Sequence, residues 1–383
     1  MTACLFGTYD RDHSANRLLR HALAGTGFAL EERHEALWEN TREKAAGYFG
    51  APSLTLLAVR WAQAQRRLAS AWRRRRGEPP LVVVGFGGQL DVLLAARLCR
   101  PRAALVFAPL VSLTETLVED RRVFPAGGAR ARLLLALDGA SLRAADLVLA
   151  DATAHADYLA TLGVPRDRVA TWHHGVEPEF EILEPRPRVA RRVLFYGRYL
   201  PLHGIDTILE AATLLGDRAD VVLAGDGPER PRMEALAARL GAPVTWRDEI
   251  PHQELPAELS AASVVLGVFG AGAKAAMVVP NKVYQAAAAG RPLVTRDGPA
   301  LREVLEPGVH CLACPPGDPA ALTEAVRTLL DAPTTGERLG AAARAHVLAD
   351  FGATGGAARL ADVLERRLGL RPRPEPVRQV GGR

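Results

Sequence analysis

The stretch from Val193 to Glu229, VLFYGRYLPLHGIDTILEAATLLGDRADVVLAGDGPE, constrains the fold of this chain more than any other. Its first apolar run ends at Gly197, and its second ends at a Gly-Asp-Gly triplet. Between the two runs, apolar residues recur at helical spacing from Ile205 to Leu215. The pattern predicts a βαβ unit whose glycine turns lie at the carboxyl ends of parallel strands. Backbone N–H groups at such turns favour the binding of an anion.

Strand and helix patterns alternate along the rest of the chain, which predicts parallel sheets covered by helices on both faces. In the first half we expect strands at 2–7, 81–84, 103–107, within 143–151 and at 169–173, and helices at 14–25, 51–76, 90–98 and 154–162. In the second half we expect strands near 193, 221, 244, 264, 293 and 311, and helices at 319–330, 335–349 and 356–368.

The length of 383 residues is enough for two domains with separate cores. The segment 177–191 is rich in proline, glutamate and arginine, which is typical of an interdomain linker. We therefore expect an N-terminal domain over 1–178 and a C-terminal domain over 193–355. The tail 371–383, RPRPEPVRQVGGR, is predicted to be disordered because it is rich in proline and charge.

The basic residues are almost all arginines, and one cluster of them runs from Arg66 to Arg76 at the end of a predicted helix. It could contact anionic lipid headgroups, which would place the protein peripherally at the inner face of a membrane. The alternative is an ordinary solvated helix end. Nucleic acid is a poor candidate partner because no nucleic-acid-binding motif accompanies the cluster.

Apolar runs of the roughly 20 residues that a membrane-spanning helix needs are missing from the sequence. The first residues, MTACLFGTYDRDHSANR, do not form a signal peptide, so we expect a cytoplasmic protein. Cys311 and Cys314 have CxxC spacing, but no second pair completes a zinc set. They are predicted to be small core residues, with a redox pair as the alternative.

Three segments together form a specific pattern: the Gly-Arg turn, the GDGPE turn, and the segment from Val279 to Val326, which begins VPNKVYQAAAAGRPLV. In order and spacing they resemble glycosyltransferase family 4, the retaining nucleotide-sugar enzymes of the GT-B group. The resemblance implies an α/β fold with two Rossmann-like doubly wound domains that face a central cleft. It also implies that the helix in 356–370 crosses back to the first domain.

The function implied by the resemblance is transfer of a hexose or related sugar, with retention of configuration, from a nucleotide diphosphate sugar. The acceptor is not identified by the sequence, and no bound cofactor is expected. Metal-independent catalysis is expected. The alternatives are a GT-B epimerase or phosphorylase, and a partner that binds sugar nucleotides without catalysis.

The catalytic residues implied by the resemblance are Arg198 and Lys282, which would stabilise the departing diphosphate. Arg198 follows a strand and a glycine, and Lys282 lies at the start of a predicted helix. An exposed cation without a function is the alternative for Lys282. Further donor-binding candidates are Gly7, Gly197, His203, Gly225, Asp226, Gly227, Ile250, Lys274, Asn281 and Gln285.

Three positions depart from the family pattern. His203 stands where a lysine usually contacts the diphosphate, which would make the second cation dependent on pH; the alternative is a turn histidine at the start of the helix. Met277 and Gln285 replace two glutamates, and only the glutamine can still bind hydroxyls. On the acceptor side the candidates are Gly87, Gly88, Ser112 and Glu115. Glu115 and Asp120 are slightly better explained as solvated helix carboxylates.

Overall fold

The structure is a computed structural model that describes residues 1–37, 51–75, 77–183 and 188–372. The side chains of residues 51–55 are not described. Arg76, residues 184–187 of the expected linker and residues 373–383 of the expected disordered tail lie outside the described residues.

The N-terminal half forms a parallel six-stranded sheet in the order β2-β1-β3-β4-β5-β6. Its strands are β1 (Thr2–Gly7), β2 (Ala29–His34), β3 (Leu81–Val84), β4 (Ala104–Phe107), β5 (Leu147–Ala150) and β6 (Val169–Thr171). Its helices are α1 (Ser14–Gly25), α2 (Ala51–Arg73), α3 (Gln89–Cys99), α4 (Ala129–Ala144), α5 (Thr153–Thr161) and α6 (Pro178–Glu181). A short π-helix, Glu115–Asp120, follows β4.

The C-terminal half forms a second parallel six-stranded sheet in the order β12-β11-β10-β7-β8-β9. Its strands are β7 (Arg192–Tyr196), β8 (Asp220–Ala224), β9 (Val244–Arg247), β10 (Val264–Leu266), β11 (Leu293–Arg296) and β12 (Leu312–Cys314). Its helices are α7 (Ile205–Leu215), α8 (Arg230–Leu240), α9 (Leu255–Ala261), α10 (Ala273–Met277), α11 (Asn281–Ala288), α12 (Pro299–Arg302), α13 (Pro319–Asp331) and α14 (Pro333–Phe351).

The central strands are apolar throughout because helices cover both faces of each sheet. All four residues of β3 are buried, and so are all four residues of β5. In the predicted βαβ unit, one face of α7 packs Ile208, Leu209 and Ala212 against the second sheet. Asp318 begins α13 as expected, because its side chain accepts a hydrogen bond from the N–H of Ala321 at 2.9 Å.

The last helix, α15 (Ala353–Leu368), packs against α1 and the first sheet rather than against the second. Leu360 and Leu364 are buried in the same apolar cluster as Leu19 and Leu23 of α1. The indole N–H of Trp172 donates a hydrogen bond to the carbonyl of Gly356 at 3.1 Å. The C-terminal end of the chain therefore completes the core of the N-terminal half.

Among the elements that were not expected from the sequence are the strand β2 and the helix α4. The strand β2 reads ALEERH, and its charged residues hide the strand pattern because it is an edge strand with half-buried side chains. The helix α4 reads ARARLLLALDGASLRA, in which Leu133 and Leu135 are exposed and most apolar side chains do not follow one face. A periodicity argument therefore misses it.

Candidate active site

The strand order places the glycine turns where an open α/β sheet forms a crevice. In the second sheet, β7 and β10 are neighbours from which the chain winds outward in opposite directions. The loop that follows β7 begins at Gly197, and the loop that follows β10 leads to α10 and α11. In the first sheet the corresponding neighbours are β1 and β3, so the loops after Gly7 and Gly85 open at the matching edge.

The turns after β7 and β8 are packed against each other, which explains their glycines. A Cβ atom on Gly225 would lie 2.0 Å from the carbonyl oxygen of Gly197. A Cβ atom on Gly227 would lie 2.5 Å from the backbone nitrogen of Tyr199. Asp226 is exposed at the tip, and its side chain accepts a hydrogen bond from the N–H of Gly227 at 2.7 Å. These turns lie together, as the sequence predicts.

Lys282 extends from the first turn of α11 into the second sheet, where its side chain is only 6% exposed. Its Nζ atom lies 3.9 Å from the centroid of the Phe195 ring and would be 3.3 Å from a Cβ atom on Gly197. The Nζ atom has no hydrogen-bond partner among the described residues. Burial lowers the pKa of Lys282 well below its usual value. A buried ammonium without a counter-ion is costly, so this position favours an anion at Gly197.

The structure places His203 inside the 198–203 turn, which favours its interpretation as a turn histidine over a second cation. Its ring is buried, and its Nδ1 atom contacts the carbonyl oxygen of Arg198. Burial and the charge of Lys282 lower the pKa of His203 well below its usual value, so the ring is neutral at pH 7. It therefore fixes the 198–203 turn. The exposed side chain of Arg198 extends from that turn.

The amide of Gln285 is bonded within the protein at both ends. Its oxygen accepts a hydrogen bond from the hydroxyl of Tyr196 at 2.8 Å, and its nitrogen donates to Glu177 at 2.5 Å. Because both ends of the amide are used within the protein, the structure does not support direct binding of a ligand hydroxyl by Gln285. Glu177, which is 2% exposed and also contacts Arg17, is a cleft carboxylate that sequence reasoning treated only as part of a loop.

The side chains of Glu177, Glu179 and His252 come close enough to offer three ligands to a metal ion. Arg17 lies among them, however. Its guanidinium contacts Glu177, lies 3.0 Å from His252 Nε2 and lies 3.7 Å from a carboxylate oxygen of Glu179. A cation already neutralises this group, so we describe it as an ion-paired cluster. Beside it, the side-chain amide of Asn281 donates a hydrogen bond to the hydroxyl of Ser14 across the cleft.

Lys274 and Glu115 meet across the cleft instead of facing solvent. Lys274 Nζ donates a hydrogen bond to the hydroxyl of Thr116 at 2.8 Å and lies 3.8 Å from Glu115 Oε1. Glu115 is 0% exposed, which corrects its interpretation as a solvated carboxylate. Its Oε2 lies 3.4 Å from Nε2 of the buried His155, whose Nδ1 lies 2.6 Å from Asp151.

The charges of this buried group depend on one another. Burial alone would lower the pKa of His155, but Asp151 and Glu115 raise it to about 10. Burial alone would raise the pKa of Glu115, but His155 and Lys274 hold it below its usual value. His155 is therefore an imidazolium between two carboxylates. Asp120, at the end of the same π-helix, has a pKa raised by burial.

The donor-binding candidate Gly7 and the remaining acceptor-side candidates lie in the N-terminal half. Gly7 has φ +136°, and a Cβ atom on it would lie 2.6 Å from Asp91, so packing against Asp91 explains this glycine. Gly87 has φ +87° and open space around it, whereas Gly88 is closely packed against Val84. The hydroxyl of Ser112 accepts a hydrogen bond from the N–H of Glu115 at 2.9 Å.

Ile250 packs as a partly buried side chain against the core of the second sheet.

Cys311 and Cys314 are buried free thiols, and burial raises the pKa of each to about 12, as expected for core residues. Among the described ranges, no helix is long and apolar enough to cross a bilayer.

Comparison with known proteins finds a family match within the second half of the chain. Residues 190–332 match the family model described as Glycosyl transferases group 1. The C-terminal half of the chain is therefore similar to the group 1 glycosyltransferases. This confirms the family resemblance that the sequence motifs indicated.

Two relatives of this chain are informative. An alpha-D-kanosaminyltransferase of Streptomyces kanamyceticus is 29% identical over 190 residues, which cover 46% of this chain and 46% of the relative. A D-inositol 3-phosphate glycosyltransferase of Streptomyces scabiei is 31% identical over 252 residues, which cover 58% and 54% of the two chains. The chain thus spans about half the length of the curated relatives it matches.

Solved structures confirm the GT-B fold across nearly the whole chain. Sucrose-phosphate synthase from Thermosynechococcus elongatus superposes with a TM-score of 0.74 at 19% identity, covering 96% of this chain and 99% of that chain. Anabaena Alr3699/HepE, solved in complex with UDP and glucose, superposes with a TM-score of 0.70 at 15% identity, covering 96% and 100%.

Proposed function

We propose that this protein transfers a sugar from a nucleotide diphosphate sugar to an acceptor. The observation that carries the proposal is the buried Nζ of Lys282 beside the Gly197 turn, which has no hydrogen-bond partner in the described part of the chain and lies at the crevice of a glycosyltransferase fold. An anion at this turn would be met by Lys282 and by Arg198, whose side chain is exposed beside it. Both cations would stabilise the negative charge that develops on a departing diphosphate.

In more detail, we propose that the transferred sugar is a hexose or a related sugar. The transfer retains the configuration of the donor sugar and needs no metal ion. Retention rests on the resemblance to glycosyltransferase family 4. Two protein cations at the turn would supply the charge that a metal ion otherwise supplies to a leaving diphosphate. A donor of this class is supported by Anabaena Alr3699/HepE, which was solved with UDP-glucose. The acceptor is left open.

A binder without catalytic activity is the second candidate, and two positions favour it. Met277 cannot replace a carboxylate that binds the sugar, and the amide of Gln285 is bonded to Tyr196 and Glu177. Sugar recognition must then use other groups. The cleft contains two buried carboxylates, Glu115 and Glu177.

The experiment is a screen of nucleotide diphosphate sugars against lipid, glycan, protein and small-molecule acceptors, read by mass spectrometry. Hydrolysis of the donor without an acceptor is measured in parallel. Product formation with any pair that is lost in Arg198→Ala supports the transferase. Arg198→Ala is expected to weaken nucleotide diphosphate binding by roughly 10–150-fold, since it removes a charge-assisted contact. Tight donor binding with no turnover for any acceptor would favour the binder.

A further inference from the structure

Lys274, on the short helix α10 of the C-terminal half, buries its ammonium group against the π-helix of the N-terminal half. Its side chain is only 8% exposed. The Nζ atom donates a hydrogen bond to the hydroxyl of Thr116 at 2.8 Å and lies 3.8 Å from Oε1 of Glu115. Lysine is seldom buried unless it is paired, so these two contacts fix α10 to the π-helix.

The carboxylate that receives this cation is held by its own half of the chain. Oε2 of Glu115 accepts a hydrogen bond from the N–H of Ser112 at 3.2 Å and lies 3.4 Å from Nε2 of His155. Burial alone would raise the pKa of Glu115, but its contact with His155 and the charge of Lys274 hold it below its usual value. Removal of the Lys274 ammonium would leave a buried charge less well compensated, which is costly.

The loop that leads into α10 is hydrogen-bonded to the 198–203 turn. The N–H of Phe269 donates to the carbonyl of His203 at 3.0 Å, and the N–H of Gly270 donates to the carbonyl of Leu202 at 3.1 Å. A Cβ atom on Gly270 would lie 2.6 Å from the carbonyl oxygen of Leu202, so the two backbones are in direct contact. The turn and the loop therefore form one hydrogen-bonded unit.

The helix α10 belongs to the same unit. Ala275 of α10 packs in a small buried apolar cluster with Leu202 of the turn and Val268 of the loop. Nη1 of Arg296 donates to the carbonyl of Gly270 at 2.7 Å and so fixes the loop on its other side. A displacement of α10 is therefore transmitted to the turn through packed side chains and backbone hydrogen bonds.

We propose that Lys274 is a positioning residue: by fixing α10 to the π-helix of the opposite half, it sets the position of Arg198 at the Gly197 turn. The proposal rests on the proposed function, in which Arg198 meets the donor diphosphate. Lys274 need not touch the ligand, because its ammonium is already bound by Thr116 and Glu115. The N-terminal half thus contributes to the geometry of the diphosphate site without supplying a group to it.

The first test is a double-mutant cycle between Lys274 and Arg198. Calorimetry measures the binding of UDP, GDP and ADP to the parent, to Lys274→Met, to Arg198→Ala and to the double variant. Lys274→Met alone is expected to weaken binding by roughly 10-fold, and to have little further effect when Arg198 is already absent, because both substitutions then remove the same contact. Additive effects would overturn the proposal and leave the proposed function standing on Arg198.

The second test does not depend on a ligand and compares two matched substitutions. Thr116→Val and Thr153→Val each remove one hydroxyl hydrogen bond between the halves, that of Thr153 being to Glu303 at 2.9 Å. Hydrogen exchange read by mass spectrometry should become faster at 198–204 in Thr116→Val and in Lys274→Met, whereas Thr153→Val should match the parent there.

Thermal melting of each variant checks that the fold is intact. Thr116→Val keeps the buried ion pair, so it provides the exchange result even if Lys274→Met does not fold. Equal exchange at 198–204 in the two threonine variants would overturn the proposal. Failure of the parent to bind any of the three nucleoside diphosphates would instead count against the proposed function, and the exchange measurement would then decide on the coupling alone.

Discussion

At the scale of single residues, Lys282 decides between catalysis and binding. If its Nζ stabilises the departing diphosphate, Lys282→Met should lower kcat by roughly 10–150-fold and donor affinity by less, because the interaction is stronger in the transition state. Steady-state kinetics and calorimetry of donor binding measure the two effects. A normal kcat in the variant would remove Lys282 from the catalytic machinery.

The same residue predicts proton uptake on binding. Without an anion, burial holds the pKa of Lys282 well below its usual value, and a bound diphosphate raises it by favouring the charged form. The parent protein should therefore take up more protons than Lys282→Met when a nucleoside diphosphate binds. Calorimetry in buffers of different ionisation enthalpy gives the number of protons. Equal proton uptake by both proteins would contradict binding of the anion next to Lys282.

His155 gives a stability prediction with a defined pH window. Its pKa is raised to about 10 in the folded protein, above roughly 6.5 in the unfolded chain. The stability it contributes is therefore fully present below about pH 6.5 and is lost as pH rises towards about 10. Urea unfolding at pH 6 and pH 9 should show a larger loss of stability in the parent than in His155→Gln. A parallel loss in both proteins would mean that His155 is neutral when folded.

At the scale of elements, α2 presents one exposed face with both apolar and basic residues. Leu56 and Val59 are 62% and 49% exposed, and Arg66, Arg73 and Arg74 follow on the same face at helical spacing. Arg75 is excluded from this face because it pairs with Glu31 at 2.5 Å and lies over the Trp72 ring. The basic cluster is thus smaller than the sequence suggests.

If this face contacts a membrane, each arginine contributes about 1 kcal/mol of binding to anionic lipid. Replacing Arg66, Arg73 and Arg74 with glutamine should then reduce binding to phosphatidylserine vesicles roughly 100-fold at low salt. Vesicle sedimentation measures the binding of each variant. Replacing Arg218, Arg232 and Arg239, which are exposed on the other half, removes the same charge and should have little effect. Equal binding by both triple variants would leave α2 a solvated helix.

The elements around the crevice follow from local sequence rules, whereas their contacts do not. Glycine turns after apolar runs predicted β7, α7 and β8, and Asp318 with Pro319 predicted the start of α13. The meeting of Lys274 with Glu115 joins residues 159 positions apart, so no local pattern contains it. Gln285 was taken for a ligand contact because its partner, Glu177, is also distant in sequence.

At the scale of the whole molecule, the chain is built so that its two sheets depend on each other. The helix α15 supplies Leu360 and Leu364 to the core of the N-terminal half. Glu303, after α12, accepts hydrogen bonds from the N–H and hydroxyl of Thr153 at the start of α5. Because these contacts cross between the halves, loss of one core should release the other. We therefore expect a single cooperative thermal transition.

Leu360→Ala tests this coupling. Leu360 is 0% exposed, and its truncation should destabilise the protein by about 2–5 kcal/mol through lost burial and a cavity. Scanning calorimetry should show the whole transition moving to lower temperature, and Leu329→Ala, in the core of the C-terminal half, should do the same. A nucleoside diphosphate should raise the transition as a whole, since it binds only the folded state. Two separate transitions, of which Leu360→Ala moves one and the ligand the other, would show that the halves unfold independently despite the helix that joins them.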